Sequence, residues 1–372
     1  MHGKPLTACS TAGDDNLSED IDQLFELTKI IVLVLSGLIP GLEESNSKGN
    51  ASSTCCPPHS LMTSAARHEL NEEAIALLTT ALSALVDAAQ VFPSIIKADL
   101  HACILHIFAT TLSTGVCQAA VVPQALPIFK RFMTSLAPHA EATDDTSKQL
   151  RATLTRFLAI LRHAQQREFE AALACEKNTI LATTILLSSA TSAFSSSDPL
   201  VKRFVDDLFD CLNARLTSKV AAGCCRSLLL LPKKAAFQTG LTTQMLPQVI
   251  SFIANPSDVE GLGESRTTLA QTLVAFISTL AKPEQRQVAS KIVIPALLVR
   301  AQKEPNTSQE TAARLLEIAS VDQAAFRTVV SGLSADQRSF IESVLKSGQG
   351  PSRREVSRDD DGQPKIALKM DF

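Results

Sequence analysis

The chain has 372 residues, of which 45% are hydrophobic, and a formal net charge of −3. This length exceeds a typical single core, so it favours either two domains or one elongated array. Balanced charges give no long-range field for nucleic acid or an anionic membrane, and the absence of Trp and Tyr removes the rings that base-stacking surfaces use, so no nucleic-acid partner is expected.

The first part of the chain carries no targeting signal. Residues 1–16 contain one Lys, two acidic residues and no apolar core of a signal peptide, so we predict a disordered N-terminus there. The longest apolar stretch, Ile30 to Leu35, is interrupted by Ser36, Gly37 and Pro40, whereas a bilayer-spanning helix needs about 20 apolar residues. We therefore expect no direct membrane insertion.

From residue 17 to residue 347, helical periodicity recurs. Apolar residues between Val201 and Leu212 follow the spacing of one helix face, and charged residues occupy the opposite face. Helix starts are indicated by capping boxes at Thr146 with Gln149 and at Ser334 with Gln337, and by first-turn prolines. The prolines are Pro93, Pro199 and Pro283. We predict about fourteen helices, with breaks near 41–58, 138–145, 195–199, 255–263 and 303–307.

Three prolines indicate how these helices are organised. Pro127, Pro247 and Pro295 each follow an aliphatic residue and precede another apolar run. HEAT and armadillo units have roughly 40–47 residues. Pro247 and Pro295 are 48 residues apart, which is about one such unit, and Pro127 and Pro247 are 120 residues apart, which is about three. The pattern favours an all-α fold, an α-solenoid of HEAT/armadillo-like helical hairpins, over the alternative of three ordinary first-turn prolines.

Residues with metal or catalytic chemistry do not form a recognisable motif. Cys55, Cys56 and His59 lie in the predicted flexible loop 41–60, and adjacent cysteines lack the spacing that lets two thiolates face one zinc ion. Elsewhere, Cys224–Cys225, the helical set His101, Cys103 and His106, and the glycines of Gly261–Gly263 are interpreted as structural. We assign no catalytic, cofactor-binding or metal-binding residue and expect no cofactor.

The C-terminal region differs from the array. Residues 348–363 are charged and contain Pro and Gly, so we predict a linker. In the segment 364–372, alternate residues are apolar, which is an extended amphipathic pattern that predicts docking of one face in a groove. The docking residues are Ile366, Leu368, Met370 and Phe372. The groove could belong to this protein's last helices or to a partner, and a frayed terminus is the alternative.

The chain resembles the C-terminal part of the large HEAT-repeat accessory proteins of the clathrin adaptor machinery. The resemblance depends on the hairpins around Leu246–Pro247 and Ile294–Pro295, the closing helices Val321 to Lys346, and the segment Pro364 to Lys369. It implies a non-enzymatic, cytoplasmic scaffold in vesicle traffic between trans-Golgi network and endosomes, peripheral at those membranes. Implied partners are clathrin-adaptor or coat subunits and the remainder of a longer solenoid.

Three alternative functions remain open from the sequence. One is a structural, self-associating segment in which the apolar stretch Ile30 to Leu38 faces a neighbouring repeat. A nuclear-transport or phosphatase-scaffold solenoid would have the same helical pattern, because fold does not fix function. A helical enzyme would use a histidine such as His101 or His163 as a general base, and it predicts a convergent pocket instead of a long open surface.

Overall fold

A computed structural model describes residues 23–24, 26–35, 39, 72–92, 94–142, 144–166, 170–232, 236–255 and 261–348. Within these ranges the regular elements are helices, and no strand occurs. The α-helices, in chain order, are α1 (26–35), α2 (Glu72–Val91), α3 (Ser94–Ser113), α4 (Val121–Ala142), α5 (Asp144–Gln165), α6 (Glu170–Ser189), α7 (Pro199–Asn213), α8 (Ser218–Leu229), α9 (Ala236–Ala254), α10 (Gly263–Thr279), α11 (Pro283–Lys303), α12 (Ser308–Val321), α13 (Gln323–Ser331) and α14 (Ala335–Gly348). The all-α prediction is confirmed.

The helices stack in two layers. From α2 to α14, each even-numbered helix packs against the next even-numbered helix, and from α3 to α13 each odd-numbered helix packs against the next odd-numbered one. Most helices also contact the helix that follows them in the chain, such as α5 with α6 and α7 with α8. This arrangement of stacked hairpins is an α-solenoid, as the sequence predicted.

Hydrogen bonds between helices of the same layer give the length of the repeat. Their partners are separated by nearly constant distances along the chain. The bonds Ser83–Arg131, Thr110–Arg156 and Ser218–Ser265 join residues 48, 46 and 47 positions apart. This spacing agrees with HEAT and armadillo units of roughly 40–47 residues and is longer than a TPR unit of about 34.

The three prolines follow this repeat only in part. Pro247 lies inside α9 and Pro295 inside α11, which are consecutive helices of the odd layer, so their spacing is one repeat. Pro127 lies in α4, a helix of the even layer. The predicted three repeats between Pro127 and Pro247 are therefore wrong, because the intervening residues cross from one layer to the other.

Helix boundaries confirm some predicted signals. Pro199 and Pro283 are the first residues of α7 and α11. Before α14, the backbone N–H of Gln337 donates to Ser334 Oγ, and the backbone N–H of Ser334 donates to Gln337 Oε1, both at 3.2 Å. These two bonds form a complete capping box. The predicted breaks at 195–199, 255–263 and 303–307 also fall between helices.

The predicted break at 138–145 is too long. Helix α4 continues to Ala142 and α5 begins at Asp144, so Pro138 lies within the last turns of α4. Thr146 is consequently the third residue of α5 and is not its N-cap.

Buried apolar side chains form a continuous core from Leu35 to Leu345. Among the described residues, α2 alone is long and apolar enough to cross a membrane, and one such helix is weak evidence for a span. Its buried residues pack within the array; they are Leu78, Ala81, Leu82, Leu85, Val86, Ala88 and Ala89. Its exposed Asp87 forms a 3.0 Å ion pair with Arg131 of α4.

Several predictions concern residues outside the described ranges. They are the disordered N-terminus 1–16, the loop 41–60 with Cys55, Cys56 and His59, the charged linker 348–363 apart from Gly348 at the end of α14, and the terminal segment 364–372.

Candidate protein-docking surface

The predicted docking residues Ile366, Leu368, Met370 and Phe372 lie outside the described residues, so their docking stays a prediction. The described part of the chain shows where the other chemistry-bearing side chains are placed and which surfaces of the array are open.

His101 of α3 has a packing role. Its side chain is buried, and its ring meets the ring of Phe132 on α4 edge-on, with the ring centroids 5.7 Å apart. Cys103 lies near it on the same helix, and burial raises the pKa of its thiol. Among the described residues, no group of three or more His, Cys, Asp and Glu side chains is arranged to hold a metal ion.

His106 links α3 to α5. Arg156 Nη1 lies 3.0 Å from His106 Nδ1, and Arg156 Nη2 donates to Thr110 Oγ1 at 2.9 Å. Burial and the adjacent Arg156 charge lower the pKa of His106 to about 4, so the ring is neutral at pH 7 and accepts through Nδ1. A ring with so low a pKa is a weak general base, and His106 therefore serves as a contact between repeats.

The other histidine considered as a base, His163, lies in the last turn of α5, one helix further along the odd layer. Neither His101 nor His163 lines any of the three grooves described below. The structure thus gives no support to a catalytic assignment for either residue.

The described cysteines are free thiols placed mainly in the interior. Burial raises the pKa of Cys175 and of Cys224 to about 11, so both are protonated at neutral pH. Cys211 of α7 has a role that the sequence did not reveal. Its thiol donates to Glu176 Oε1 of α6 at 3.1 Å, and burial together with this carboxylate raises its pKa.

A buried ion network near the end of the array is also absent from the sequence predictions. Arg300 of α11, 2% exposed, reaches Glu310 Oε2 at 3.2 Å and Thr267 Oγ1 of α10 at 3.0 Å. Arg266 of α10, 4% exposed, donates to Glu304 Oε1 at 2.7 Å. The network ties α10, α11 and the start of α12 together. Its sequence signal is a charged residue, Arg300, within an apolar run.

Two buried amides join α6 to the turn after α3. Asn178 Nδ2 donates to the Gln118 carbonyl oxygen at 2.9 Å and to Gln118 Oε1 at 3.0 Å. Gln118 Nε2 in turn donates to the Leu112 carbonyl oxygen at 2.5 Å. These bonds satisfy backbone groups at the end of α3, so their role is structural.

The described part of the array carries open grooves. The first is an apolar groove of about 470 Å³ between α1 and α3, beside a stripe of exposed residues on α1. The exposed residues are Leu27, Ile30 and Leu33, at 53%, 56% and 70% exposure. Ile30 and Leu33 belong to the apolar stretch that the sequence singled out, and the stripe is an unpartnered face in the described part of the chain.

The second groove, of about 460 Å³, lies between α7 and α9 in the odd layer. Phe209 and Phe252 form its apolar part, and amide side chains surround it. The amides belong to Asn213, Gln248 and Asn255. A surface that combines aromatic rings with amides suits an extended peptide, because amides pair with a peptide backbone while rings contact its side chains.

The third groove, of about 260 Å³, lies between α13 and α14. Its floor is apolar and its edge carries Arg338 and Glu342. The floor residues are Phe326, Val330, Ile341 and Leu345. This groove is therefore placed at the last hairpin of the described array.

Comparison with known proteins agrees with this architecture. The profile of a family described as "LAA1-like, C-terminal TPR repeats" matches residues 197–358, which include the second and third grooves. The chain is similar to the C-terminal repeats of LAA1-like proteins. This similarity confirms the resemblance predicted from the sequence, and the profile ends before the segment Pro364 to Lys369 on which that resemblance partly depended.

One curated relative is the AP-1 accessory protein LAA1 of Saccharomyces cerevisiae. It is 20% identical over 344 residues, which are 90% of this chain and 15% of the relative. The chain thus spans 15% of the length of this LAA1. No solved structure matches the chain significantly. The matched repeats are described as TPR, whereas the bond Ser218–Ser265, inside residues 197–358, joins partners 47 positions apart and gives a longer, HEAT-like repeat.

Proposed function

We propose that the chain is a protein-binding scaffold that associates with a clathrin-adaptor complex. The observation that supports this most directly is the match of residues 197–358 to LAA1-like C-terminal repeats, within an open two-layer helical array. A solenoid of this kind binds through a long surface with several modest contacts. The similar yeast protein is named an AP-1 accessory protein, which points to an AP-1-type adaptor as the partner class.

The proposed location follows from the proposed partner. A scaffold for an AP-1-type adaptor would act in the cytoplasm, peripherally at the trans-Golgi network and endosomes, during vesicle transport. The proposal includes no catalytic step. His101, one of the two histidines considered as a general base, packs edge-on against Phe132, and neither it nor His163 lines the three grooves.

The groove between α7 and α9 is the proposed adaptor contact. It lies within the region that matches the LAA1-like repeats, and its rings and amides suit an extended segment of an adaptor subunit. Asn213 is exposed, and its Nδ2 donates to the Phe209 carbonyl oxygen at 2.9 Å, so its side-chain oxygen is the group that would accept a peptide N–H. Such backbone pairing is how extended segments gain affinity without a deep pocket.

A pull-down with purified AP-1 adaptor complex tests both levels of the proposal. Ser251 is exposed on α9 and lines the groove, so Ser251→Arg places a long cation in the proposed path of the peptide. Thr243 is exposed on the same helix outside the groove, and Thr243→Arg is the matched control. We expect adaptor retention by the unaltered chain and by Thr243→Arg, and about tenfold less by Ser251→Arg, which corresponds to about 1.4 kcal/mol.

The outcomes separate the scaffold from its contact site. Equal retention by both variants would reject the groove while leaving the scaffold in place. Absence of adaptor retention by the unaltered chain would reject the adaptor function. Recovery of nuclear-transport factors or phosphatase subunits by the same chain from a cell lysate would then favour the alternative solenoid classes.

A further inference from the structure

The groove between α13 and α14 has an apolar floor and lies at the last hairpin of the described array. Phe326, Val330, Ile341 and Leu345 form the floor, while Ala335 and Ser339 stand at the exposed edge. Terminal repeats of solenoids need a cover with a polar outer face, because the stacking surface is otherwise left to water.

We propose that the segment 364–372 of the same chain docks in this groove and closes the end of the array. The segment has the composition that such a cover requires. Its apolar residues alternate with Lys365, Lys369 and Asp371, so in an extended conformation one face is apolar and the other is charged. The apolar face would contact the groove floor, and the charged face would face water.

Dimensions agree with this occupant. In an extended strand, the apolar positions from Ile366 to Phe372 span roughly 20 Å at about 3.4 Å per residue. Helix α14, with 14 residues, is about 21 Å long. The apolar face of the segment therefore matches the length of the helix that forms most of the groove.

The intervening chain also permits docking within one molecule. Helix α14 ends at Gly348, and residues 349–365 separate it from Ile366. This stretch can span at most roughly 60 Å, far more than the return along α14 requires. A tether of this length gives an effective concentration in the millimolar range, so even a weak intrinsic contact would be occupied. A partner in solution would have to compete with that concentration.

Hydrogen exchange of the full-length chain, measured by mass spectrometry, tests the proposal directly. Docking predicts that amides of 366–372 exchange about tenfold more slowly than an unstructured peptide, the ratio of a millimolar effective concentration to an intrinsic Kd of about 0.1 mM. The double variant Ile366→Asp and Leu368→Asp should restore fast exchange. The control, Lys365→Asp with Lys369→Asp, changes only the charged face and should retain the protection.

A second pair of variants tests the groove without altering the segment. Ser339→Glu places a charged side chain at the exposed groove edge and should abolish protection of 366–372. Ser343→Glu, four residues further along α14 and also exposed, lies outside the groove and should leave protection unchanged. Neither substitution removes a buried side chain, so both variants should fold.

Three results would overturn the proposal. The first is exchange of 366–372 at the rate of an unstructured peptide in the unaltered chain. The second is protection that increases with protein concentration, which would assign the segment to a second copy. The third is protection that appears only when adaptor complex is added, which would assign it to a partner. Because the readout does not require adaptor binding, failure of the proposed function would leave this result unchanged.

Discussion

Arg300 and Arg266 are charged side chains held almost entirely inside the array. Each has a carboxylate within hydrogen-bond distance, at Glu310 and Glu304, and Thr267 joins the same network by donating to Glu310 Oε2 at 2.8 Å. Such a network adds little net stability over apolar packing, but removal of one member leaves an uncompensated charge in a poorly hydrated place. The contribution of the network to the free energy of unfolding is therefore best measured by replacing one of its charged residues.

We expect Arg300→Met to lower the free energy of unfolding by about 3 kcal/mol, because Glu310 loses its cation while it remains mostly buried. Chemical denaturation followed by circular dichroism measures the change. The control is Lys219→Met, which breaks an exposed pair with Glu264 of 2.8 Å and should cost less than about 1 kcal/mol. Equal losses in the two variants would contradict a buried role for Arg300.

His106 makes stability depend on pH. Its folded-state pKa is lowered from 6.5 to about 4, so between these values the unfolded chain binds the proton and the folded chain does not. Stability therefore falls as the pH decreases from about 6.5 towards 4, and this contribution is flat above 6.5.

Thermal unfolding at pH 7 and pH 5 measures this effect. We expect His106→Gln to show a smaller decrease in Tm between the two pH values than the unaltered chain, because Gln does not titrate. His163→Gln, in the last turn of α5, serves as the comparison variant at a second histidine. An unchanged pH dependence in His106→Gln would show that another group is responsible.

At the scale of single elements, the position of helix α9 depends on the absence of a side chain at Gly240. A Cβ built at Gly240 would lie 1.9 Å from Ser196 Oγ and 2.4 Å from Ser196 Cβ, in the loop before α7. In the same loop, the Ser196 carbonyl oxygen accepts a 2.6 Å hydrogen bond from Gln244 Nε2 of α9. The close approach of loop and helix therefore requires glycine at this position.

Two glycine substitutions should act in opposite directions. Gly240→Ala should lower Tm, since the methyl group forces the loop away from α9 and breaks the Gln244 bond. Gly223→Ala, inside α8 with nothing within 4 Å of the added Cβ, should stabilise the chain by about 0.5–1 kcal/mol. Calorimetry of both variants measures the difference, and a stabilising Gly240→Ala would refute the close approach.

The elements also differ in how much their sequences reveal. The apolar stripe of α7, with Val201, Phe204 and Leu208 buried, predicts both the helix and its inner face. Helix α6 has no such stripe, because none of residues 171–190 is exposed and its Thr and Asn side chains are buried as well. Its polar residues were predictable as helical, but their burial depends on partners such as Gln118 on another element.

At the scale of the whole molecule, the array is held by contacts between neighbouring repeats. Hydrogen bonds from Arg131 to Ser83 and from Lys303 to Asn255 each cross 48 positions and join one repeat to the next. Because each repeat depends mainly on its neighbours, the outer surfaces are free to accept partners and the end faces need cover. The proposed adaptor groove and the proposed terminal docking segment use these two kinds of surface.

The sequence by itself determined the helical class and the starts of α7, α11 and α14, because amphipathic periodicity, capping residues and prolines act within a few turns of one helix. The sequence alone did not predict that Pro127 and Pro247 lie in different layers, that Arg300 is buried beside Glu310, or that a groove lies between α13 and α14. Only the tertiary structure decided these features, since each depends on side chains that the stacking of helices brings together from separate elements.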